Sequence, residues 1–235
     1  MATVTLTTTD GEFDCYLAEP EGTPRAAIVV IQEAFGLTAH IERCCDRLAA
    51  AGYLTVAPAL FHRVGSPVFA YDDFEHVMPA MGSLTMEGIS MDLEAVTTHL
   101  AAAGFTPAST GIVGFCMGGT VTFFGSTTSK FGAGVTFYGG GMTAGRFGFP
   151  SLVELAPALK APWLGLYGDL DQGIPVDQVG QLRAATVSLA VPTEIVLFEG
   201  ADHGFNCEDR TAVFNPGVAS EAWAKMLAWF ETYLG

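Results

Sequence analysis

The 235-residue sequence has no apolar run long enough to cross a membrane, because charged residues, prolines or glycines interrupt each one before about 18 residues. It also lacks a secretory signal at its start, since the first residues, MATVTLTTTDGEF, include neither a basic segment nor an apolar one. These absences predict a cytoplasmic protein without membrane contacts.

Basic residues are scarce: 10 Lys and Arg stand against 25 Asp and Glu, for a formal net charge of −15. Such a charge repels phosphate backbones and anionic lipid, so we expect neither nucleic acid nor a membrane surface as a partner. With 50% hydrophobic residues, no internal repeat and no linker, the simplest expectation is a single domain over residues 1–235. It could be a monomer or a small homo-oligomer.

Cysteine is sparse and irregularly spaced, with no C-x-x-C pair. The adjacent Cys44 and Cys45 fit neither a disulfide framework nor a zinc site, so we expect reduced, buried thiols and no metal ion. The five cysteines are Cys15, Cys44, Cys45, Cys116 and Cys207. Two histidines in predicted helices, His40 and His99, are expected on exposed faces.

Short β-branched or aromatic runs alternate along the chain with stretches of helical periodicity. The predicted strands are Ala26–Ile31, Leu54–Ala57, Thr110–Phe115, Gly134–Tyr138, Pro162–Tyr167 and Glu194–Phe198. The predicted helices are Ala39–Ala51, Ser90–Ala103, Met117–Thr127, Pro175–Ala190 and Ala219–Tyr233. This alternation predicts a doubly wound, mostly parallel α/β sheet with helices on both faces. Thr3–Thr8 and Glu12–Leu17 predict an antiparallel hairpin at its edge.

A glycine-flanked cysteine follows one predicted strand and opens a helix. The segment G-F-C-M-G at 114–118 matches the nucleophile-elbow pattern G-x-S-x-G, with cysteine in place of serine. Gly114 and Gly118 permit the crowded backbone of such a turn, and the helix N-terminus favours the thiolate of Cys116. The N–H of Met117 is the candidate for one oxyanion donor. The pentapeptide alone equally fits a glycine-rich turn with a buried cysteine.

A thiolate nucleophile needs a base and a residue that orients the base, and folds with this elbow place them in the order nucleophile, acid, histidine. Asp169 and Asp171 both follow a predicted strand. We favour Asp171, which lies three residues after the strand-ending glycine, and expect Asp169 to stabilise the turn. His203 follows the next strand and completes the order. Taken alone, the two aspartates would fit a solvated turn equally well, and a lone loop histidine is more often a solvated side chain than a catalyst.

The loop after the most apolar strand supplies two further candidates. In folds with this elbow the second oxyanion donor comes from this loop, and the N–H of Ala34 is the candidate here. Glu33 is either a solvated loop residue or a carboxylate that discourages premature thiolate formation by like-charge repulsion.

Five motifs carry a resemblance to a known family: Q-E-A-F-G at 32–36, G-F-C-M-G-G at 114–119, Y-G at 138–139, D-Q-G-I-P at 171–175 and D-H-G-F at 202–205. In this order and spacing the chain resembles the dienelactone hydrolase (carboxymethylenebutenolidase) family, which has the α/β-hydrolase fold. The resemblance implies the following site: Cys116 as nucleophile, His203 as base, Asp171 as orienting acid, Glu33 as partner of the resting thiol, and Phe35, Tyr138 and Phe205 in the substrate pocket.

The resemblance implies a cofactor-free hydrolase that cleaves a lactone or small ester through a thioester on Cys116. Members that cleave dienelactone hold its carboxylate with arginines, one of them four residues after the histidine. That position is Cys207 here, and no arginine lies between Arg63 and Arg146. We therefore expect a neutral substrate, unless Arg63 or Arg210 reaches the site from another direction.

Two other classes of function remain open at this point. In a thiol-redox or sensing protein, Cys116 would be oxidised and Cys207 would resolve it. In a noncatalytic binding protein the pocket alone would be used, although such a protein needs neither a base nor an orienting acid.

Overall fold

A single eight-stranded sheet organises the computed structural model, which describes residues 2–234. Its strands are β1 Ala2–Thr8, β2 Gly11–Ala18, β3 Ala27–Ile31, β4 Leu54–Pro58, β5 Thr110–Phe115, β6 Ala133–Phe137, β7 Trp163–Gly168 and β8 Thr193–Phe198. They lie in the order β1-β2-β4-β3-β5-β6-β7-β8. Strands β3 to β8 pair in parallel, and the hairpin β1–β2 joins them through an antiparallel pairing of β2 with β4. The predicted fold class is confirmed.

The helices are α1 Ala39–Ala50, α2 Phe74–Gly82, α3 Met86–Ala102, α4 Met117–Ser126, α5 Leu152–Leu155, α6 Val176–Thr186 and α7 Pro216–Tyr233. Helix α3 begins earlier than predicted because the Thr85 side chain caps it by accepting a hydrogen bond from the Gly88 N–H. Helices α2 and α5 were not predicted. Among residues 2–234, none of the helices combines the length and apolar character that crossing a lipid bilayer requires.

Alternate residues of the central strands belong to two separate hydrophobic cores, one on each face of the sheet. In β3, Ile28 and Val30 belong to the core that also contains residues of α1, α6 and α7. Val29 and Ile31 belong to the other core, with residues of α2 and α3. Because successive side chains of a strand point to opposite faces, a strand covered on both sides must be apolar throughout. This explains why the parallel strands could be read from short apolar runs.

The turn from β5 to α4 brings backbone segments into close contact. A Cβ atom on Gly114 would overlap the carbonyl group of Gly118, and a Cβ atom on Gly118 would lie 2.5 Å from the carbonyl oxygen of Ile31. Between these glycines, Cys116 has φ 55° and ψ −115°, a strained conformation for a residue with a side chain. Only glycines fit on either side of this cysteine.

We expect the Gly114→Ala substitution to lower the free energy of unfolding by about 1–3 kcal/mol or more, because the added methyl group has no space in this turn. A matched control is Gly180→Ala in α6, where no atom lies within 4 Å of the new methyl group. That change should stabilise the protein by up to about 1 kcal/mol through helix propensity. Urea unfolding of both variants measures the difference, and equal stabilities would contradict the steric argument.

Candidate active site

The predicted site residues come together at one edge of the sheet. Each follows a parallel strand: Glu33 after β3, Cys116 after β5, Tyr138 after β6, Asp171 after β7 and His203 after β8. The carboxyl ends of parallel strands meet at the same edge, so residues far apart in sequence become neighbours there.

Cys116 lies between β5 and the first turn of α4. Its N–H donates a hydrogen bond to the carbonyl oxygen of Phe137 at 3.0 Å, which ties the turn to the neighbouring strand β6. The side chain is partly exposed, whereas the other four cysteines are buried, and all five are free thiols. Cys116 is therefore the thiol that a solute can reach, and it faces the positive end of the α4 dipole.

The two candidate oxyanion donors have no competing partner. Within residues 2–234, neither the N–H of Ala34 nor that of Met117 donates a hydrogen bond to a backbone carbonyl group outside the regular elements or to a side chain. Met117 is the first residue of α4, where a helix leaves its N–H groups unpaired. Both groups are available to an external acceptor.

His203 is oriented by a buried carboxylate. Its Nδ1 lies 2.7 Å from Oδ2 of Asp171, whose side chain is only 2% exposed. The other oxygen, Oδ1, accepts hydrogen bonds from the N–H groups of Gly173 at 2.8 Å and Ile174 at 3.1 Å. Because both oxygens are engaged, the carboxylate has one orientation, and it holds the ring with Nδ1–H toward it and Nε2 free to accept a proton.

The neighbouring Asp169 has a different contact. Its Oδ1 accepts a hydrogen bond from the N–H of Gly200 at 2.7 Å, which connects the loop after β7 with the loop after β8. Asp169 makes no hydrogen bond to His203. Its carboxylate thus connects two loops, whereas the sequence pattern predicts that it stabilises its own turn.

The pKa of His203 reflects its two neighbours. Burial lowers the pKa of the ring, but the negative charges of Cys116 and Asp171, and the hydrogen bonds with them, outweigh this effect and raise it well above its usual value. A raised pKa makes the imidazole a stronger base, which suits it to accept the proton of a thiol.

Glu33 is fully buried. The hydroxyl group of Tyr138 donates a hydrogen bond to its Oε1 at 3.3 Å. Its other oxygen, Oε2, has no hydrogen-bond partner within residues 2–234, and the thiol of Cys116 is not bonded to either oxygen. Burial raises the pKa of Tyr138 well above its usual value, and the charge of Glu33 adds to this effect, so the phenol stays a donor.

Aromatic rings lie close to His203. The Tyr138 ring lies 5.2 Å from the imidazole of His203 and 5.1 Å from the ring of Phe205, which is itself fully buried. Phe35 packs edge-on against Tyr71 at 4.7 Å and Phe74 at 5.9 Å. The Phe74 side chain is exposed, so this group extends from the core beside the site to the surface.

The two arginines considered as substrate anchors differ in their environment. Arg63 is bound to Asp92 at 2.8 Å and to Asp10 at 2.9 Å, so its guanidinium is already neutralised. Arg210 has no carboxylate within ion-pair distance in residues 2–234, and it lies 5.8 Å from the ring centre of Phe35. It also flanks Gly204, next to His203. Arg210 is therefore the better placed of the two.

The expectation that His40 is exposed was wrong, because this residue is fully buried. Its Nδ1 lies 2.8 Å from Oε2 of Glu208, and its Nε2 lies 3.7 Å from Sγ of Cys44. The sequence does contain a signal: His40, Cys44 and Leu48 are four residues apart, and so share the buried stripe of α1.

Residues 13–234 match the family model of the dienelactone hydrolase family. A protein of Escherichia coli O157:H7, provisionally named carboxymethylenebutenolidase, is 33% identical over 228 residues, covering 94% of this chain and 82% of that protein. A Methylorubrum extorquens protein of the same name is 32% identical over 228 residues, covering 95% of this chain and 78% of that protein. A crystal structure of a provisionally named dienelactone hydrolase from Klebsiella pneumoniae has a TM-score of 0.87 at 33% identity, covering 99% of this chain and 100% of that one.

Proposed function

The chain belongs to the dienelactone hydrolase family, a family of hydrolases, and on this premise we propose that it hydrolyses a lactone or small ester with Cys116 as nucleophile, His203 as base and Asp171 as orienting acid. The observation that carries the proposal is the 2.7 Å contact of His203 Nδ1 with Asp171, in a site where Cys116 stands at a strand–helix turn. A binding protein would need neither group.

The reaction begins with a proton transfer. Because Nδ1 of His203 is held by Asp171, its Nε2 takes the proton of the Cys116 thiol. The thiolate attacks the ester carbonyl carbon, and the resulting oxyanion accepts hydrogen bonds from the N–H groups of Ala34 and Met117. When the intermediate collapses, the C–O bond breaks, the leaving alkoxide takes the proton from His203, and a thioester remains on Cys116.

Water completes the cycle. His203 accepts a proton from a water molecule, and the hydroxide attacks the thioester carbonyl carbon. Collapse of this second intermediate breaks the C–S bond, releases the carboxylic acid product and returns the proton to Cys116. No group beyond substrate and water is consumed.

In this proposal, Glu33 keeps the thiol of Cys116 protonated while no substrate is bound. Glu33 follows β3, the strand that pairs with β5, and a buried carboxylate there opposes a second negative charge at Cys116 and so favours the neutral thiol. Tyr138 holds this carboxylate by donating to Oε1 at 3.3 Å. A resting thiol is less prone to oxidation than a permanent thiolate.

The thiol-redox alternative has weaker support. A resolving cysteine must be reachable as a thiolate, but Cys207 is buried. Burial raises the pKa of Cys207 to about 12, and the charge of Glu33 adds to this effect. At neutral pH, Cys207 is therefore a protonated thiol and a poor nucleophile.

We predict that a neutral ester or lactone has a higher kcat/KM than the matching carboxylate-bearing compound. The net charge of −15 repels an anion, and Arg63 is already neutralised by Asp92 and Asp10. Loss of a charge-assisted contact to a bound carboxylate lowers the binding free energy by roughly 1.5–3 kcal/mol, which is about tenfold to over a hundredfold in affinity. Added salt should narrow the gap by screening the field.

A panel of matched neutral and anionic lactones and esters, assayed with and without a thiol alkylating agent, tests both the function and the charge preference. Hydrolysis that the alkylating agent abolishes is the expected result, and turnover that survives complete alkylation of Cys116 would contradict the mechanism. A clear preference for the anion would contradict the charge prediction. In that event Arg210→Met, which removes the unpaired guanidinium near Phe35, should reverse the preference.

A further inference from the structure

Three potential metal ligands meet in the protein interior, and one of them, Glu33, belongs to the proposed catalytic site. They come from separate segments: Glu33 from the loop after β3, His40 from the first turn of α1 and Cys207 from the loop after β8. One ligand atom of each lies within 4.8 Å of the other two, and all three residues are buried. The proposed reaction uses neither His40 nor Cys207, so their convergence on Glu33 has no explanation in the hydrolase chemistry.

One atom of this cluster lacks the partner that its burial requires. Oε2 of Glu33 accepts no hydrogen bond from any group in residues 2–234, although the residue is fully buried. An unpaired buried acceptor costs about 1–3 kcal/mol, and more when it is charged. A cation at this position would supply the missing partner.

The His40 ring is also oriented as in a metal site. Its Nδ1 lies 2.8 Å from the Glu208 carboxylate, which is held in turn by Nε of Arg43 at 2.6 Å. A carboxylate fixes Nδ1–H as the donor and leaves Nε2, which lies 3.7 Å from Sγ of Cys44, as the nitrogen available to a cation. Metal-binding histidines are oriented by carboxylates in the same manner.

We propose that Glu33, His40 and Cys207 form a binding site for a thiophilic divalent cation such as Zn²⁺. Zinc binds carboxylate oxygen, imidazole nitrogen and thiolate sulfur together, whereas Mg²⁺ and Ca²⁺ prefer oxygen ligands alone. On binding, the Zn–S bond replaces the S–H bond of Cys207, and the thiol proton leaves to solvent. The fourth position falls to water.

The geometry requires only a small adjustment. Tetrahedral zinc with bonds of about 2.0–2.3 Å places its ligand atoms roughly 3.3–3.8 Å apart. The present separations do not exceed 4.8 Å, so the ligand atoms must approach by about an ångström, a shift within the reach of side-chain rotation.

The test uses the untagged, reduced protein and two probes. Co²⁺ reports thiolate ligation through a charge-transfer absorption, and competition with a chromogenic chelator gives the affinity for Zn²⁺. We expect one site per chain in the wild type and in Cys116→Ala, which removes the catalytic thiol. Cys207→Ala should lose the absorption and bind Zn²⁺ at least about 100-fold more weakly. The matched control is Cys15→Ala, another buried free cysteine, which should bind as the wild type does.

A second variant guards against misfolding of Cys207→Ala. Glu208 is 35% exposed, so Glu208→Ala should fold, and loss of the carboxylate behind His40 should weaken Zn²⁺ binding about 10–100-fold. Loss of the cobalt absorption in Cys116→Ala would overturn the proposal, because the metal would then bind the catalytic thiol. Wild-type affinity in a folded Cys207→Ala protein would overturn it as well. None of these readouts depends on hydrolysis, so they are independent of the proposed function.

Discussion

Replacing Cys116 with alanine is expected to lower kcat/KM for ester hydrolysis by at least about 10⁴-fold, because no other group forms the covalent intermediate. The free energy of unfolding should change by less than about 1 kcal/mol, since the substitution removes one partly exposed sulfur atom and leaves the elbow glycines in place. Initial rates on the preferred ester, together with urea unfolding, measure both quantities.

Alkylation provides an independent measurement of the same assignment. Brief treatment with iodoacetamide followed by peptide mass spectrometry should label Cys116 first, because the other four cysteines are buried. Cys15→Ala is the matched control and should keep both its activity and its labelling pattern. Undiminished turnover in a folded Cys116→Ala protein would contradict the assignment of the nucleophile.

The two aspartates of the loop after β7 should give opposite results. Asp171→Asn removes the negative charge at 2.7 Å from Nδ1 of His203 and disturbs the tautomer of the ring, so kcat should fall about 10³–10⁴-fold. The kcat of the His203→Ala variant should fall by a similar factor. Asp169→Asn keeps an oxygen that can accept from the Gly200 N–H, so its kcat should change less than about threefold.

The measurement for this set is kcat across pH, with thermal unfolding as a check on the fold. If Asp169→Asn is the variant that loses activity, the acid has been assigned to the wrong residue, although a triad would remain. If Asp171→Asn retains full activity, His203 needs no orienting carboxylate at all.

Much of the candidate site could be proposed from sequence because each of its residues follows a strand that is itself easy to recognise. Buried parallel strands are apolar on both faces, so β5 and β7 stand out in the sequence. Cys116 and Asp171 follow these strands, and this position makes them candidates. The elbow was recognisable because its glycines are sterically required. These are local signals, and local signals can be read along a chain.

Other features depend on contacts between distant segments, which no local pattern contains. Helix α2 has Pro79 inside it, and α5 is only four residues long, so neither has a clear helical pattern. The pairing of Arg63 with Asp92 and the burial of His40 against Glu208 depend on which segments become neighbours after folding. The spacing of Glu33, His40 and Cys207 along the chain likewise does not predict their convergence.

The position of β8 at the end of the sheet has a consequence for the protein's synthesis. A chain made from its N-terminus exposes Cys116 to the surroundings long before Asp171 and His203 leave the ribosome. Under the proposed assignment, the nascent thiol has neither its base nor the acid that orients it until β7 and β8 add to the sheet. We therefore expect hydrolytic activity to begin only when the last strand has docked, and a chain terminated before β8 to be inactive.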